Sequence, residues 1–202
     1  VYDGDVFVGG SVMYPDSPNY YWTSMNWYNG TVWDSCGLGR LFLKPISCNN
    51  ELFALGWGLA TQPNNPTDNI LRLNGALWEP FGNSFDYVAA GPLTMEYYQG
   101  QYYVGGNFEK APTKEIMRWD GNDWQPLGNG VLGDAWLQQI RVYRDLLYVG
   151  GHYDQAAGNT DDFLMAWDGN QWWPTFPNVQ FVTQVRKMEV MDDVLYMVGE
   201  HF

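Results

Sequence analysis

Few residues in this chain have the types and spacing that chemistry requires. It has two histidines, His152 and His201, each directly after a short Tyr/Val/Gly-ending element. If that element repeats, the two imidazoles occupy the same place in successive units and share one face. A metal site there needs further ligands, and Asp154, Asp161 and Asp162 offer carboxylates nearby. The plainer reading is a polar loop-edge column, since Ser11, Gly58 and Asn107 hold the corresponding place. Asp3-Gly4-Asp5 resembles the start of a calcium loop, but the later acidic ligands do not follow, and a tight turn explains it better. Asn29-Gly30-Thr31 has the form of a glycosylation sequon, yet a hairpin turn already requires its Asn-Gly step. There is no Gly-x-Ser-x-Gly elbow, no His-Glu-x-x-His and no Gly-rich phosphate cradle. The expectation is a chain with no catalytic residue, no metal and no cofactor.

The elements that position these residues follow from composition. Of 202 residues, 46% are hydrophobic and 17% aromatic, so the chain can bury a sizeable core. Eleven Trp, fourteen Tyr and ten Phe stand beside 23 Gly, the mixture of many short strands joined by tight turns. No stretch keeps an i, i+3, i+4, i+7 apolar face, and the expected class is all-β. The net charge of −13 repels phosphate backbones and anionic lipid, so nucleic acid is excluded as a partner. No apolar run has the length of a membrane span.

A repeat organises the whole chain. Asp5-Val6-Phe7-Val8-Gly9-Gly10 returns as Leu52-Phe53-Ala54-Leu55-Gly56-Trp57 and as Tyr102-Tyr103-Val104-Gly105-Gly106. It returns again as Leu147-Tyr148-Val149-Gly150-Gly151 and as Leu195-Tyr196-Met197-Val198-Gly199-Glu200. Counted between Gly9, Gly56, Gly105, Gly150 and Gly199, the intervals are 47, 49, 45 and 49 residues. A second element keeps step, with an Asn-Gly or Asp-Gly near Gly30, Gly75, Gly121 and Gly169 followed by Trp33, Trp78, Trp124 or Trp172. Each unit reads as four short strands, A to D. A tight polar turn joins A to B (Asp3-Gly4, Asn49-Asn50, Gln99-Gly100, Arg144-Asp145, Asp192-Asp193), and the Asn-Gly or Asp-Gly step joins C to D as a hairpin dipeptide. Four antiparallel strands in roughly 40–50 residues is the period of a β-propeller blade. One such sheet cannot bury both faces alone, so the periodic Trp residues are expected to pack between neighbouring sheets.

A double Gly, an aromatic and a later Trp together resemble the kelch motif. The fuller pattern, Leu147-Tyr148-Val149-Gly150-Gly151 with Trp167-Asp168-Gly169 and Trp172, is similar to the kelch-like repeats of secreted bacterial proteins, notably Bacteroidota proteins exported by type IX secretion, and of fungal cell-end marker proteins. The resemblance covers essentially the whole chain. Trp57 for the second Gly, Leu73 for the strand-C aromatic and Glu200 for the last second Gly depart from it. It implies a β-propeller of four-stranded antiparallel blades over residues 1–202, about four full periods plus a half-blade. Both ends fall inside repeat units, which reads as an excerpt of a larger ring. It also implies an extracellular or cell-surface setting, with the bacterial outer-membrane exterior favoured.

Cys36 takes the place of Phe81 and Leu127 in other units, a buried apolar position, whereas Cys48 aligns with Tyr98 and Tyr143 at the far end of strand A. If a regular strand separates them they lie too far apart for a disulfide, and a bond requires an irregular first unit. The longest aromatic loop, from Met13 to Trp22, carries Tyr14, Tyr20, Tyr21 and Trp22. These are either partner anchors or sugar-stacking platforms, or they fold back on the sheet edge. Three functional expectations follow. The first is a non-catalytic protein-interaction scaffold, a component or cargo of an envelope or secretion assembly. The second is a carbohydrate-binding propeller. The third is a kelch-fold oxidase or glycan-processing enzyme, which would need a Tyr-His metal cluster that two histidines in one column do not supply.

Overall fold

A computed structural model describes residues 1–13, 21–36, 41–59, 68–85, 87–110, 113–133, 135–153, 163–175 and 183–201. All regular structure among them is strand. The first sheet is β1 (Val6–Met13), β2 (Tyr21–Tyr28) and β3 (Trp33–Ser35). The second is β4 (Leu41–Cys48), β5 (Glu51–Leu59), β6 (Asp68–Asn74) and β7 (Leu77–Pro80). The third is β8 (Tyr87–Tyr98), β9 (Gln101–Lys110), β10 (Thr113–Trp119) and β11 (Trp124–Pro126). The fourth is β12 (Trp136–Tyr143), β13 (Leu146–His152), β14 (Leu164–Trp167) and β15 (Trp172–Pro174). The fifth is β16 (Thr183–Met191) and β17 (Val194–His201). Strands follow one another across each sheet in chain order, and every strand pair with a described register is antiparallel. The expected four-strand meander is therefore present in the second, third and fourth sheets.

The chain divides into two compact units, Val1–Phe85 with Ala90–Pro92, and Asp86–Ala89 with Leu93–Phe202. In the first, Met25, Ala54 and Leu71 form a buried cluster flanked by Phe7, Cys36 and Trp78, which joins the first and second sheets. In the second, Ile116 and Leu127 of the third sheet pack with Ile140, Leu147, Val149 and Trp167 of the fourth. Leu164 of the fourth sheet packs with Val185 and Met188 of the fifth. Within each unit, neighbouring sheets thus bury apolar faces against one another, as stacking of incomplete units requires.

All five A–B turns are tight, and at Arg144-Asp145 only Arg144 has positive φ, whereas the other four share one conformation. Asp3 and Gly4, Asn49 and Asn50, Gln99 and Gly100, and Asp192 and Asp193 all have positive φ, the conformation of a two-residue hairpin turn. In the second sheet Asn74 pairs with Leu77 across the two residues Gly75 and Ala76, a dipeptide hairpin, whereas the other three C–D connections differ from one. Tyr28 pairs with Trp33, Trp119 with Trp124 and Trp167 with Trp172, which leaves four residues between the partners. Only the Gly has positive φ there, and the side chain before it organises the loop. The Asp120 carboxylate accepts from the amides of Asn122 and Asp123, both at 2.8 Å, and Asp168 does the same for Asn170 and Gln171. Asn29 accepts from Thr31 and Val32 at 3.0 Å. An acidic or amide side chain satisfying two loop amides supplies what a second left-handed residue would have supplied.

Strand register also moves the glycine alignment. Leu147 pairs with Trp167, Phe53 with Arg72 and Leu195 with Val190. Counted from those pairs, Gly56 and Gly199 match Gly151, not Gly150, while Leu55 and Val198 fill the first-glycine place. The constant column is Gly10, Gly56, Gly106, Gly151 and Gly199. The reason lies in strand A. A β-bulge at Gln138 brings its backbone against Gly151, where a Cβ would run into the Trp136 carbonyl and approach the Leu137 Cα at 2.9 Å. At Gly150 a Cβ would meet only side chains of the fifth sheet, Val185 at 2.8 Å and Met188 at 3.2 Å.

Trp124 is buried, and Trp78 and Trp172 pack into the clusters that join their sheets to the preceding ones. Trp33 departs from the packing expectation: it is 60% exposed and stacks on Tyr28 at 5.0 Å. Trp78 and Trp172 face the preceding sheet, and among the described residues none precedes the first.

Candidate functional site

The two ends of each sheet are built differently, and that difference locates the site. At the A–B turn end, Tyr98 Oη donates to the Asp145 carbonyl at 2.7 Å and Tyr143 Oη to the Asp193 carbonyl at 3.0 Å. Tyr2 makes the same bond to Asn50 at 3.3 Å. Tyr98 and Tyr143 stand at the last position of strand A, Tyr2 stands just before the first turn, and each phenol reaches the turn of the following sheet. Just inside, Arg141 donates to Glu96 at 2.6 Å and to Glu189 at 2.9 Å, so one guanidinium ties the A strands of the third, fourth and fifth sheets. Burial pushes the Glu96 carboxyl above its ordinary value, against the pull of Arg141.

At the opposite end, where strand A starts and strand B finishes, the fourth and fifth sheets enclose a cleft of about 340 Å³. Trp136, Gln138, His152, Gln184 and Arg186 line it. Trp136 and His152 are cross-strand partners on β12 and β13, and Trp136 is 49% exposed although its neighbours Ala135 and Leu137 are buried. Gln138 and Arg186 are the bulged residues of β12 and β16, each set between the partners of the two glycine-column residues of its sheet. A bulge turns a side chain away from the regular alternation, and here two equivalent bulges re-aim two polar groups into one space. With its amide oxygen facing Arg186, Gln184 accepts from Nε at 3.3 Å and Nη2 at 2.9 Å, and the glutamine is only 8% exposed. Beneath the cleft, Gln139 accepts from the Met188 amide at 2.9 Å and Arg141 donates to the Met188 carbonyl, fixing the two strands to each other.

His152 thus belongs to a polar cleft, its ring 5.7 Å from that of Phe163. His201 does not share its column. His152 pairs with Trp136 directly before the glycine partner Leu137, whereas His201 pairs with Thr183, one residue further from the glycine partner Val185. Glu200 takes the matching place. Asp154, Asp161 and Asp162 lie outside the described residues. Among the described residues no three of His, Cys, Asp and Glu come together as metal ligands. Cys36 and Cys48 are both thiols. Cys36 packs on the Met25 cluster, and burial pushes its thiol up to about 11.

Of the aromatic loop, Tyr14 and Tyr20 lie outside the described residues. Met13, Tyr21 and Trp22 belong to strands instead: Tyr21 pairs with Met13 and Trp22 with Val12 on the β1–β2 hairpin, and their side chains are outside what the structure describes. The cleft residues Trp136, Gln138, Gln184 and Arg186 drew no attention in the sequence, although Trp136-Leu137-Gln138-Gln139-Ile140 and Gln184-Val185-Arg186-Lys187-Met188 align once the glycine column is set correctly. No protein-family model matches the chain, and no curated protein matches it at a significant level.

Proposed function

We propose that the chain is an arc of kelch-like β-propeller blades acting as a non-catalytic recognition module of an exported or cell-surface protein. Its sheets form a rigid frame, and its binding surface is the end where strand A starts. The observation that carries this reading is the cleft around Trp136, which two matched bulges open at the end away from the tyrosine clasps. Exposed Trp in a polar-lined hollow is the usual anchor of a binding surface. The repeated four-stranded sheets support the propeller part of the reading, as does the face-to-face burial of neighbouring sheets within each unit. No helix among the described residues is long and apolar enough to cross a membrane.

The test is affinity capture by the purified chain from envelope and extracellular fractions, run beside Trp136→Ala. A partner retained by the native chain and lost by the variant is the expected result. Capture that ignores this substitution and every other change at the cleft end sinks the reading. For the fold, an experimental structure whose successive sheets are not related by rotation about a common axis would remove the propeller assignment. The carbohydrate-binding alternative gains from the composition of the cleft, which is taken up next.

A further inference from the structure

We infer that the Trp136 cleft is a saccharide site that takes a pyranose ring. The inference rests on the recognition reading above and names its ligand class. The apolar face of a pyranose, with its axial C–H groups, matches a half-exposed indole in size and polarity. Its ring of hydroxyls both donates and accepts, as do the Gln138 amide and the His152 imidazole, while Arg186 adds planar donors. The volume of about 340 Å³ is near the lower end of the roughly 300–1,000 Å³ typical of small-ligand clefts.

Other ligand chemistries fit less well. An apolar peptide side chain would cover Gln138 and His152 without replacing their hydrogen bonds to water, which is costly. A polyanion meets a chain of net charge −13. A sugar needs neither a buried charge nor an apolar pocket. The frame beside the site is pre-formed: the Gln139–Met188 bond ties the A strands of the fourth and fifth sheets to each other. Pre-organisation matters because single-sugar contacts are individually weak.

The experiment is calorimetric titration of the whole chain with a panel of neutral and uronate-containing oligosaccharides, supported by saturation-transfer NMR to find which sugar protons lie against protein. Binding of at least one glycan is expected, with transfer strongest to the axial C–H protons. Trp136→Ala should lower the affinity at least about tenfold in a chain that still melts in one cooperative transition, even though loss of the buried half of the indole lowers its midpoint. Arg186→Gln should weaken a uronate ligand selectively if the acid group is what binds, and should affect both classes equally if hydroxyls alone are read. Either pattern supports the site.

A folded Trp136→Ala chain that binds the same glycan as tightly as the native one overturns the proposal. So does a panel without a binder. If a protein partner is nevertheless captured and then lost on Trp136→Ala, the saccharide inference fails while the recognition reading survives. If capture too is indifferent to the cleft, both fail.

Discussion

At the A–B turn end of the sheets, Tyr2, Tyr98 and Tyr143 repeat one hydrogen bond to the next turn; at the other end, Trp136, Gln138, Gln184 and Arg186 make a cleft. The column that holds tyrosine at one end in three of its five places (Cys48 and Met191 stand in the others) contrasts with a column that holds Trp136 in one sheet and Gln184 in the next. The difference teaches how a repeat divides its labour. Bonds that must recur at every junction use the same residue in the same place. Positions that face a ligand are released from that rule, because the junction holds without them. The bulge beside the invariant glycine is the hinge between the two regimes: it needs a fixed backbone, and it exposes a variable side chain.

The largest effect should come from that hinge. Gly151→Ala places a methyl against the Trp136 backbone, which cannot move without losing the bulge, and should cost about 3 kcal/mol in denaturant unfolding. Gly150→Ala meets the ends of Val185 and Met188 instead, which can shift, and should cost about 1–2 kcal/mol. A reversed order would show that the second glycine column is not the structural one. Next in size is Arg141→Met, which keeps the aliphatic stem but leaves the Glu96 carboxylate without its cation; about 2–3 kcal/mol is expected. The double variant with Glu96→Gln should recover most of it, the sign that the loss comes from a stranded charge and not from packing.

Much of this frame was legible in the sequence. Alternating apolar strands, the A–B turn dipeptides and the period all follow from residue type, because turns with two left-handed residues admit few side chains. The C–D loops were harder to read. Asp-Gly is compatible both with a dipeptide hairpin and with a four-residue loop capped by the Asp side chain, and only the pairing of Trp119 with Trp124 separates them. The glycine slip at Leu55-Gly56 and Val198-Gly199 arose from aligning on the first glycine, although the aromatic two residues before the first-glycine place (Phe53, Tyr148, Tyr196) already fixed the frame. The cleft was least accessible. A bulge leaves no residue signature of its own, so Gln138 and Arg186 look like ordinary strand residues until the register is known.

Smaller effects sharpen the comparison at the clasp end. Tyr98→Phe and Tyr143→Phe each remove one hydroxyl and should cost about 1 kcal/mol, with the carbonyls of Asp145 and Asp193 turning to water. At the cleft end, Arg186→Gln, on an exposed side chain, should stay within about 0.5 kcal/mol of neutral for stability. Equal losses at both ends would dissolve the division between frame and site.

The smallest effect concerns protons and discriminates by sign. Burial raises the Glu96 pKa above its ordinary 4.5, so the folded chain takes up this proton more readily than the unfolded one. Its contribution to stability is present below that ordinary value and is lost as pH rises through the raised one. Asp120 and Asp168 behave oppositely. Amide hydrogen bonds from Asp123 and Asn122 hold Asp120 below its ordinary 3.8, and the Trp173 indole with the amides of Gln171 and Asn170 does so for Asp168. Their contribution is present above 3.8 and falls away in acid. Unfolding of the native chain and of Glu96→Gln, followed from about pH 8 to about pH 4, should show the native chain gaining on the variant as pH falls. Asp120→Asn should show the reverse at the acid end, while keeping an oxygen that caps the loop as Asn29 does. A Glu96→Gln gap that widens toward alkaline pH in favour of the native chain would mean that the pull of Arg141 outweighs burial. The clasp end would then owe its strength to charge more than to close packing.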